Sequence, residues 1–175
     1  RSYALYLDGE RRKEELMGET PDPLEQNRVA NNNLKQLSAD LGRAHHTPAA
    51  VGVAGNSSSG LDAYGLYLYG VVLKDMGRKA EALGILCQSV NEEPLLWAAW
   101  LDLAAICTEA ELVEDLPLSP HWVRDFFLGH ILLELQQNEA ALRTYSGLSE
   151  QFPRSTYLLA QKALAHYNMR NFDEA

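Results

Sequence analysis

The chain of 175 residues is short of cysteine: Cys87 and Cys107 are its only two, and both fall inside helical patterns. That placement offers neither a disulfide framework nor a metal-ligand set, and it fits thiols packed as small hydrophobes in a reducing compartment. No apolar run reaches the ~18 residues that a membrane-spanning helix requires. The first residues, Arg-Ser-Tyr-Ala-Leu-Tyr-Leu-Asp-Gly, lack the apolar stretch and small-residue cleavage site of a secretory signal, so an intracellular protein with no membrane partner is expected. Histidine is scarce too. His45, His46 and His121 have no Cys, His or carboxylate partner at ligand spacing, so no metal site is expected. His130 and His166 sit within helical patterns and read as satisfied structural histidines, His130 facing a groove and His166 at the edge of the core. A Gly-rich phosphate loop and a Gly-x-Ser-x-Gly elbow are both missing. With no nucleophile and base or carboxylate pair in a converging pattern, no catalytic residue and no cofactor is expected, and the chain reads as a non-enzyme.

Positive charge is missing from one long interval. Between Lys79 and Arg124 there is no Lys or Arg, while Glu81, Glu92, Glu93, Asp102, Glu109, Glu111, Glu114 and Asp115 all fall there. Residues 1–60 hold eight acids and seven bases, and residues 61–175 hold sixteen and eight, so the repeats carry nearly all of the net charge of −9. An acidic surface repels phosphate backbones, which removes nucleic acid from the expected partners. The acidic interval is either a solvated, solubilising face or a docking surface for a basic peptide.

Repetition is abundant. Gly70, Ala82, Leu86 and Pro94 recur as Gly129, Ala141, Tyr145 and Pro153, at the same offsets of +12, +16 and +24. Such self-similarity marks two-helix units that cannot bury their own apolar face and stack on their neighbours. In the clearest unit Leu66, Tyr69, Gly70 and Leu73 fall at i, i+3, i+4 and i+7 and make one apolar stripe. Met76-Gly77-Arg78 is the turn, with Gly77 suited to a left-handed cap. A second helix from about residue 79 turns Ala82, Leu83, Leu86 and Val90 inward, and Pro94 stops it. Gly70 and Ala82 are small because the two helices approach most closely there.

The next unit has Trp97, Trp100, Leu101, Ala104 and Cys107 as apolar positions, and Gly70 to Ala104 is 34 residues, the length of a tetratricopeptide repeat. Its second half is irregular. Pro117 and Pro120 forbid a continuous helix, and Gly129 arrives only 25 residues after Ala104. A short or bent second helix and a local change of superhelical pitch are expected. The third unit carries Phe126, Leu128, Gly129 and Leu132, turns at Gln136-Gln137-Asn138, and continues with Ala141, Leu142, Tyr145 and Leu148. A fourth places Ala163 another 34 residues after Gly129 and stops near the start of its second helix, which predicts membership of a longer array.

The expected division is therefore 1–46, an interrupted N-terminal repeat with an insertion; 47–60, a mobile Ala, Gly and Ser-rich connector; and 61–175, an all-α right-handed solenoid of antiparallel helix pairs. Its units span about 63–96, 97–121 (irregular), 122–155 and 156–175 (truncated). Within 1–46, Tyr3, Leu5, Tyr6 and Leu7 read as a helix tail, residues 8–19 as a polar run, and residues 24–45 as an amphipathic helix with Val29, Leu34, Leu37 and Leu41 inward.

With the fourth, seventh, eighth and eleventh repeat positions in the core, helical geometry sends the second, fifth, ninth, twelfth and thirteenth to a concave side. Those positions hold Tyr64, Tyr67, Lys74 and Asp75, then Thr108 and Glu109, then Phe126, His130 and Glu134, then Tyr157, Tyr167 and Asn168. Aromatic anchors beside acids suit an extended peptide with one basic residue, because Glu pairs with Arg while Tyr packs its stem. The same tyrosines fit equally well as contacts to neighbouring helices.

The small-residue and proline positions resemble the tetratricopeptide-repeat family over 61–175, although only Trp100 supplies the tryptophan usual at the fourth position; Leu66, Asp125 and Leu159 stand there elsewhere. A closer resemblance rests on Gly65-Leu-Tyr-Leu-Tyr-Gly-Val-Val-Leu-Lys74, on Pro94-Leu-Leu-Trp-Ala-Ala-Trp-Leu-Asp-Leu103 and on Trp122 through His130. Together with the proline-containing second unit, these runs resemble the eighth-subunit family of the anaphase-promoting complex, or cyclosome. The resemblance implies a non-catalytic scaffold subunit of a multi-subunit ubiquitin ligase that drives mitosis, found in nucleus and cytoplasm. It implies a homodimer formed by N-terminal repeats, contacts with sister repeat subunits, and a groove for a basic motif of an activator protein. Two other readings stay open. A chaperone adaptor would need a basic and amide clamp where Tyr67, Val71, Leu101 and Ala105 stand, and the array could instead be the regulatory arm of an enzyme.

Overall fold

The computed structural model describes residues 1–26, 29–47, 59–108, 113 and 115–174, and among them the regular elements are all α-helices. They divide into two units, Arg1–Glu92 and Glu93–Ala175. No described helix is long and apolar enough to cross a membrane.

In the first unit α1 (Ser2–Glu19), α2 (Pro23–Gln26), α3 (Leu34–His46), α4 (Ala63–Asp75) and α5 (Lys79–Glu92) follow in order, with α1 packed on α3, α3 on α4 and α4 on α5. Asp62 starts α4 by accepting the Gly65 N–H at 2.8 Å, a cap that stabilises by about 1 kcal/mol. The predicted stripe of Leu66, Tyr69, Gly70 and Leu73 is buried, and so are Leu68, Val71 and Val72, because α4 is covered on two sides. A Cβ added at Gly70 would lie 2.6 Å from Leu86 Cδ2, so the small residue is required by Leu86, four positions beyond Ala82.

The N-terminal reading needs correction. The polar run 8–19 is not outside the helix: α1 continues through it, supported by Arg12 to Asp8 at 3.0 Å and Lys13 to Glu10 at 3.3 Å, both at helical spacing. The amphipathic helix begins only at Leu34, with Leu34, Leu37 and Leu41 buried, while Val29 is half-buried outside any helix. Asn31 and Asn33 make the break. Asn31 Nδ2 donates to Tyr6 O at 3.1 Å and to Glu10 Oε1 at 2.9 Å, and Asn33 Nδ2 donates to Leu5 O at 2.9 Å. Gly9, the buried residue of α1, lies against Asn31 where a Cβ would overlap the amide. Of the expected connector, 48–58 lie outside the described residues. Ser59 is buried, and a Cβ at Gly60 would lie 2.6 Å from the carbonyl oxygens of Ala44 and Thr47, so Gly60 packs on the end of α3.

In the second unit α6 (Trp97–Ile106), α7 (Trp122–Glu134), α8 (Asn138–Gln151) and α9 (Thr156–Asn168) pack in sequence, each on the next. Trp100 is fully buried, donates Nε1–H to Pro94 O at 2.9 Å, and lies 5.0 Å from the Phe127 ring. A second core cluster joins Leu133, Ala141, Tyr145, Leu148, Leu158 and Ala165. At Gly129 an added Cβ would lie 2.6 Å from the Tyr145 ring, repeating the approach of Gly70 to Leu86. Two core expectations fail. Leu101 is 42% exposed, and the buried residues of α7 are Val123, Phe127, Gly129, Ile131 and Leu133, with Leu128 and Leu132 only half-buried. The arc of α7 is set by contacts with both α6 and α8, not by one partner helix. Of the irregular stretch after α6, residues 109–112 and 114 lie outside the described residues, while Val113 and Leu116 are buried.

Three helices end in the same turn. Gly77, Gln136 and Arg170 have φ of 77°, 60° and 61°, and each stands seven residues after Gly70, Gly129 and Ala163 respectively. In each the next residue donates back to the helix: Arg78 N to Leu73 O at 2.9 Å, Gln137 N to Leu132 O at 2.8 Å and Asn171 N to His166 O at 2.9 Å. This is the left-handed cap that satisfies the last carbonyls of a helix, and it recurs although only the first turn has glycine.

Candidate functional site

An apolar concavity of the second unit lies at the starts of its first helices. Leu95, Trp97, Trp122, Val123, Phe126 and Tyr157 line a cavity of about 300 Å³ with almost no polar surface. Trp97 and Trp122 occupy the first positions of α6 and α7, Phe126 follows Trp122 by one turn, and Tyr157 stands at the second position of α9. His121 places Trp122: its Nδ1 accepts the Val123 N–H at 3.3 Å and so caps α7.

Rings hold the walls in place. Trp122 lies 5.7 Å from Phe126 and 5.4 Å from Phe152, Phe126 lies 5.9 Å from Tyr157, and Trp97 stands edge-on to His130 at 6.2 Å. Leu95 is 65% exposed, Trp122 45% and Tyr157 40%, so apolar surface stays in water where a core would have buried it. An opening of this kind receives a bulky aliphatic or aromatic side chain, whose full burial contributes about 1.5–3 kcal/mol.

Behind the cavity Tyr145 is fully buried, edge-on to Tyr157 at 6.5 Å, and among the described residues its hydroxyl meets no partner in hydrogen-bonding geometry. Burial pushes its phenol well above the ordinary range. Burial likewise pushes the Cys107 thiol up, which keeps it protonated and unreactive. No group of His, Cys, Asp and Glu among the described residues could hold a metal ion.

The expected groove residues fall into separate surroundings. In the first unit Tyr64 is exposed, Tyr67 and Lys74 are half-buried, and Asp75 accepts a hydrogen bond from Tyr6 OH at 2.9 Å on α1. In the second unit His130 lies against Trp97, Glu134 is exposed two turns along α7 from Phe126, and Tyr157 walls the cavity. Asn168 Nδ2 donates to Asn138 Oδ1 at 3.0 Å, which ties it to the start of α8. Glu109 lies outside the described residues. His166 departs from the expectation of a satisfied histidine, since its buried Nδ1 has no partner among the described residues. His45, by contrast, sits within α3 with Nε2 3.0 Å from Gln88 Oε1.

Leu95, Trp97, Trp122 and Val123 are absent from the sequence-derived groove. The available signal was the pair of tryptophans at the same first position of consecutive units. Helical geometry assigns the second, fifth, ninth, twelfth and thirteenth positions to the concave side, and the first is not among them.

The chain resembles known proteins along nearly its whole length. The family model described as anaphase promoting complex subunit 8 / Cdc23 matches residues 1–163. The Arabidopsis thaliana protein named anaphase-promoting complex subunit 8 is 41% identical over 174 residues, 99% of this chain and 28% of the relative. The Mus musculus protein named cell division cycle protein 23 homolog is 37% identical over 174 residues, again 99% of this chain and 27% of the relative. The Dictyostelium discoideum protein named anaphase-promoting complex subunit 8 is 42% identical over 115 residues, 65% of this chain and 19% of the relative. The chain thus spans under a third of the length of these relatives. A helical repeat array with this extent of match belongs to the anaphase promoting complex subunit 8 / Cdc23 family.

Proposed function

We propose that this chain is a repeat segment of a non-catalytic scaffold subunit of the anaphase-promoting complex, acting within a multi-subunit ubiquitin ligase in nucleus and cytoplasm. Its work is to hold other proteins: sister repeat subunits, a second copy of itself, and an extended peptide of an activator protein. The observation that carries the peptide reading is the apolar cavity lined by Leu95, Trp97, Trp122, Val123, Phe126 and Tyr157. Among the described residues no carboxylate lines it, so a peptide's apolar side chain fills the cavity while its basic residue lies outside. Glu134, exposed eight residues beyond Phe126 and so about 12 Å along α7, supports a pairing with that base. For self-association, α1 supports the reading with Tyr3 and Leu7 exposed one turn apart.

Anisotropy of a labelled extended peptide bearing one arginine and one bulky aliphatic residue tests the cavity. Trp122→Ala removes a wall that is 45% exposed and is expected to weaken the peptide by about tenfold or more. Glu134→Lys is expected to weaken it by a smaller, salt-dependent factor. Unchanged affinity in Trp122→Ala, with helical content intact, refutes the assignment of the cavity.

A further inference from the structure

The chain carries a net charge of −9, yet one concavity of its first unit presents only basic and neutral side chains. It has a volume of about 900 Å³ and lies between α3 and the turn joining α4 to α5. Lys35, Arg43, His46 and Arg78 line it, all four exposed, and among the described residues no carboxylate does. Small residues make its floor. Lys35, Ala39, Gly42 and His46 fall at i, i+4, i+7 and i+11, so they share one face of α3, with a basic side chain at either end and only a methyl and a hydrogen between. The Tyr69 hydroxyl lies beside that floor, where a Cβ added at Gly42 would stand 3.1 Å from it. We propose that this concavity seats an extended acidic segment of a partner protein, with two carboxylates four residues apart.

Length separates a peptide from a small anion. Lys35 and Arg43 are eight residues apart, about 12 Å along α3, and His46 extends the face to about 17 Å. An extended chain rises about 3.3 Å per residue, so acids four residues apart stand about 13 Å from one another and reach both ends. A lone phosphate meets one end only. Between the two acids the peptide backbone lies over Ala39 and Gly42, which offer no side chain to hold it off, and within reach of the Tyr69 hydroxyl. Arg78 is already in position beside this path: it donates Nη1–H to Ser38 Oγ at 3.2 Å and Nε–H to Glu81 Oε1 at 2.7 Å. Arg43 pairs with Asp40. Both ion pairs are solvent-exposed and therefore weak, so each guanidinium has donors to spare for an incoming carboxylate. Charge fixes the sign of the occupant. A basic peptide of the kind assigned to the second unit is repelled here, and an acidic one is drawn in.

The test is fluorescence anisotropy of a labelled Gly- and Ser-rich peptide of about ten residues carrying two Asp four positions apart, titrated with the full chain at about 50 mM salt. Saturable binding is expected, and replacing both Asp by Asn should weaken it about fivefold or more. The Lys35→Gln, Arg43→Gln double variant should weaken the Asp peptide by a similar factor. Ala39→Trp leaves every charge in place and fills the floor from an exposed helical position, so it should weaken the peptide as well. Helical circular dichroism checks that each variant is folded. Equal affinity for the Asn peptide, or affinity for the Asp peptide unchanged in either variant, overturns the proposal. So does a chain that ignores the Asp peptide, including one that instead sediments with vesicles of anionic phospholipid.

Discussion

Replacing glycine by alanine should have opposite signs at different helical positions of this chain, and the structure says which. At Gly70 a new Cβ would meet Leu86 Cδ2 at 2.6 Å and Cγ at 2.7 Å, and at Gly129 it would meet Tyr145 Cε1 and Cζ at 2.6 Å. Leu86 and Tyr145 are both fully buried, so neither can swing aside into solvent. Overpacking of this kind costs about 1–3 kcal/mol. The helical preference for alanine returns about 0.5–1 kcal/mol. The net expectation is a loss of up to about 2.5 kcal/mol at each site, about 1 kcal/mol at mid-range. Gly84 in α5 and Gly147 in α8 are the controls, because a Cβ there meets nothing within 4 Å. Only the propensity term acts on them, and alanine should stabilise by about 0.5–1 kcal/mol. For a chain of this length 1 kcal/mol moves a melting midpoint by about 2–4 °C, well within the resolution of thermal melts followed by helical circular dichroism. The pattern sought is two midpoints lowered and two raised. If Gly70→Ala and Gly129→Ala raise the midpoint as Gly84→Ala does, the close approach of paired helices is not what keeps these residues small.

The three left-handed turns make a second prediction: Gln136→Gly and Arg170→Gly should each stabilise by up to about 1 kcal/mol, and Gly77→Ala should cost a similar amount, read as shifts in urea midpoint. Stabilisation absent from both glycine variants would contradict the conformations assigned to Gln136 and Arg170. Tyr145→Phe should raise stability at neutral pH by about 1 kcal/mol, because it deletes a buried hydroxyl that has no hydrogen-bond partner among the described residues. It should also flatten the alkaline limb of stability. Burial raises the folded phenol above its unfolded value of about 10, so the folded state keeps a proton that the unfolded state releases. Stability then falls as pH rises past about 10, and a wild-type pH profile identical to that of Tyr145→Phe would refute this.

Helix pairs were legible wherever one partner helix defines the apolar face. The stripe of Leu66, Tyr69, Gly70 and Leu73, the turn at Gly77 and the recurrence of Ala82 as Ala141 all follow from periodicity, and all are local consequences of the 3.6-residue turn. Legibility failed where a residue answers to something distant. Residues 8–19 looked like an insertion because their side chains are polar. They are helical because α1 is anchored by amides at Asn31 and Asn33, more than twenty residues away, and not by an apolar stripe. Leu101 looked like core and lies 42% exposed, while Phe127 and Ile131 are buried because α6 and α8 both press on α7.

By itself, then, the sequence determined that the chain is a series of helix pairs with small residues at their crossings, and, through the runs beginning at Gly65, Pro94 and Trp122, which family it resembles. Both are properties of neighbours along the chain, spaced by helical geometry. Tertiary structure alone decided which surfaces are left to bind. Trp97 and Trp122 stand 25 residues apart in sequence and line one cavity with Tyr157, and Lys35, Arg43 and Arg78 come from two segments to line another. A cavity is what remains where helices do not touch, so it depends on how they stack and not on any single periodic pattern.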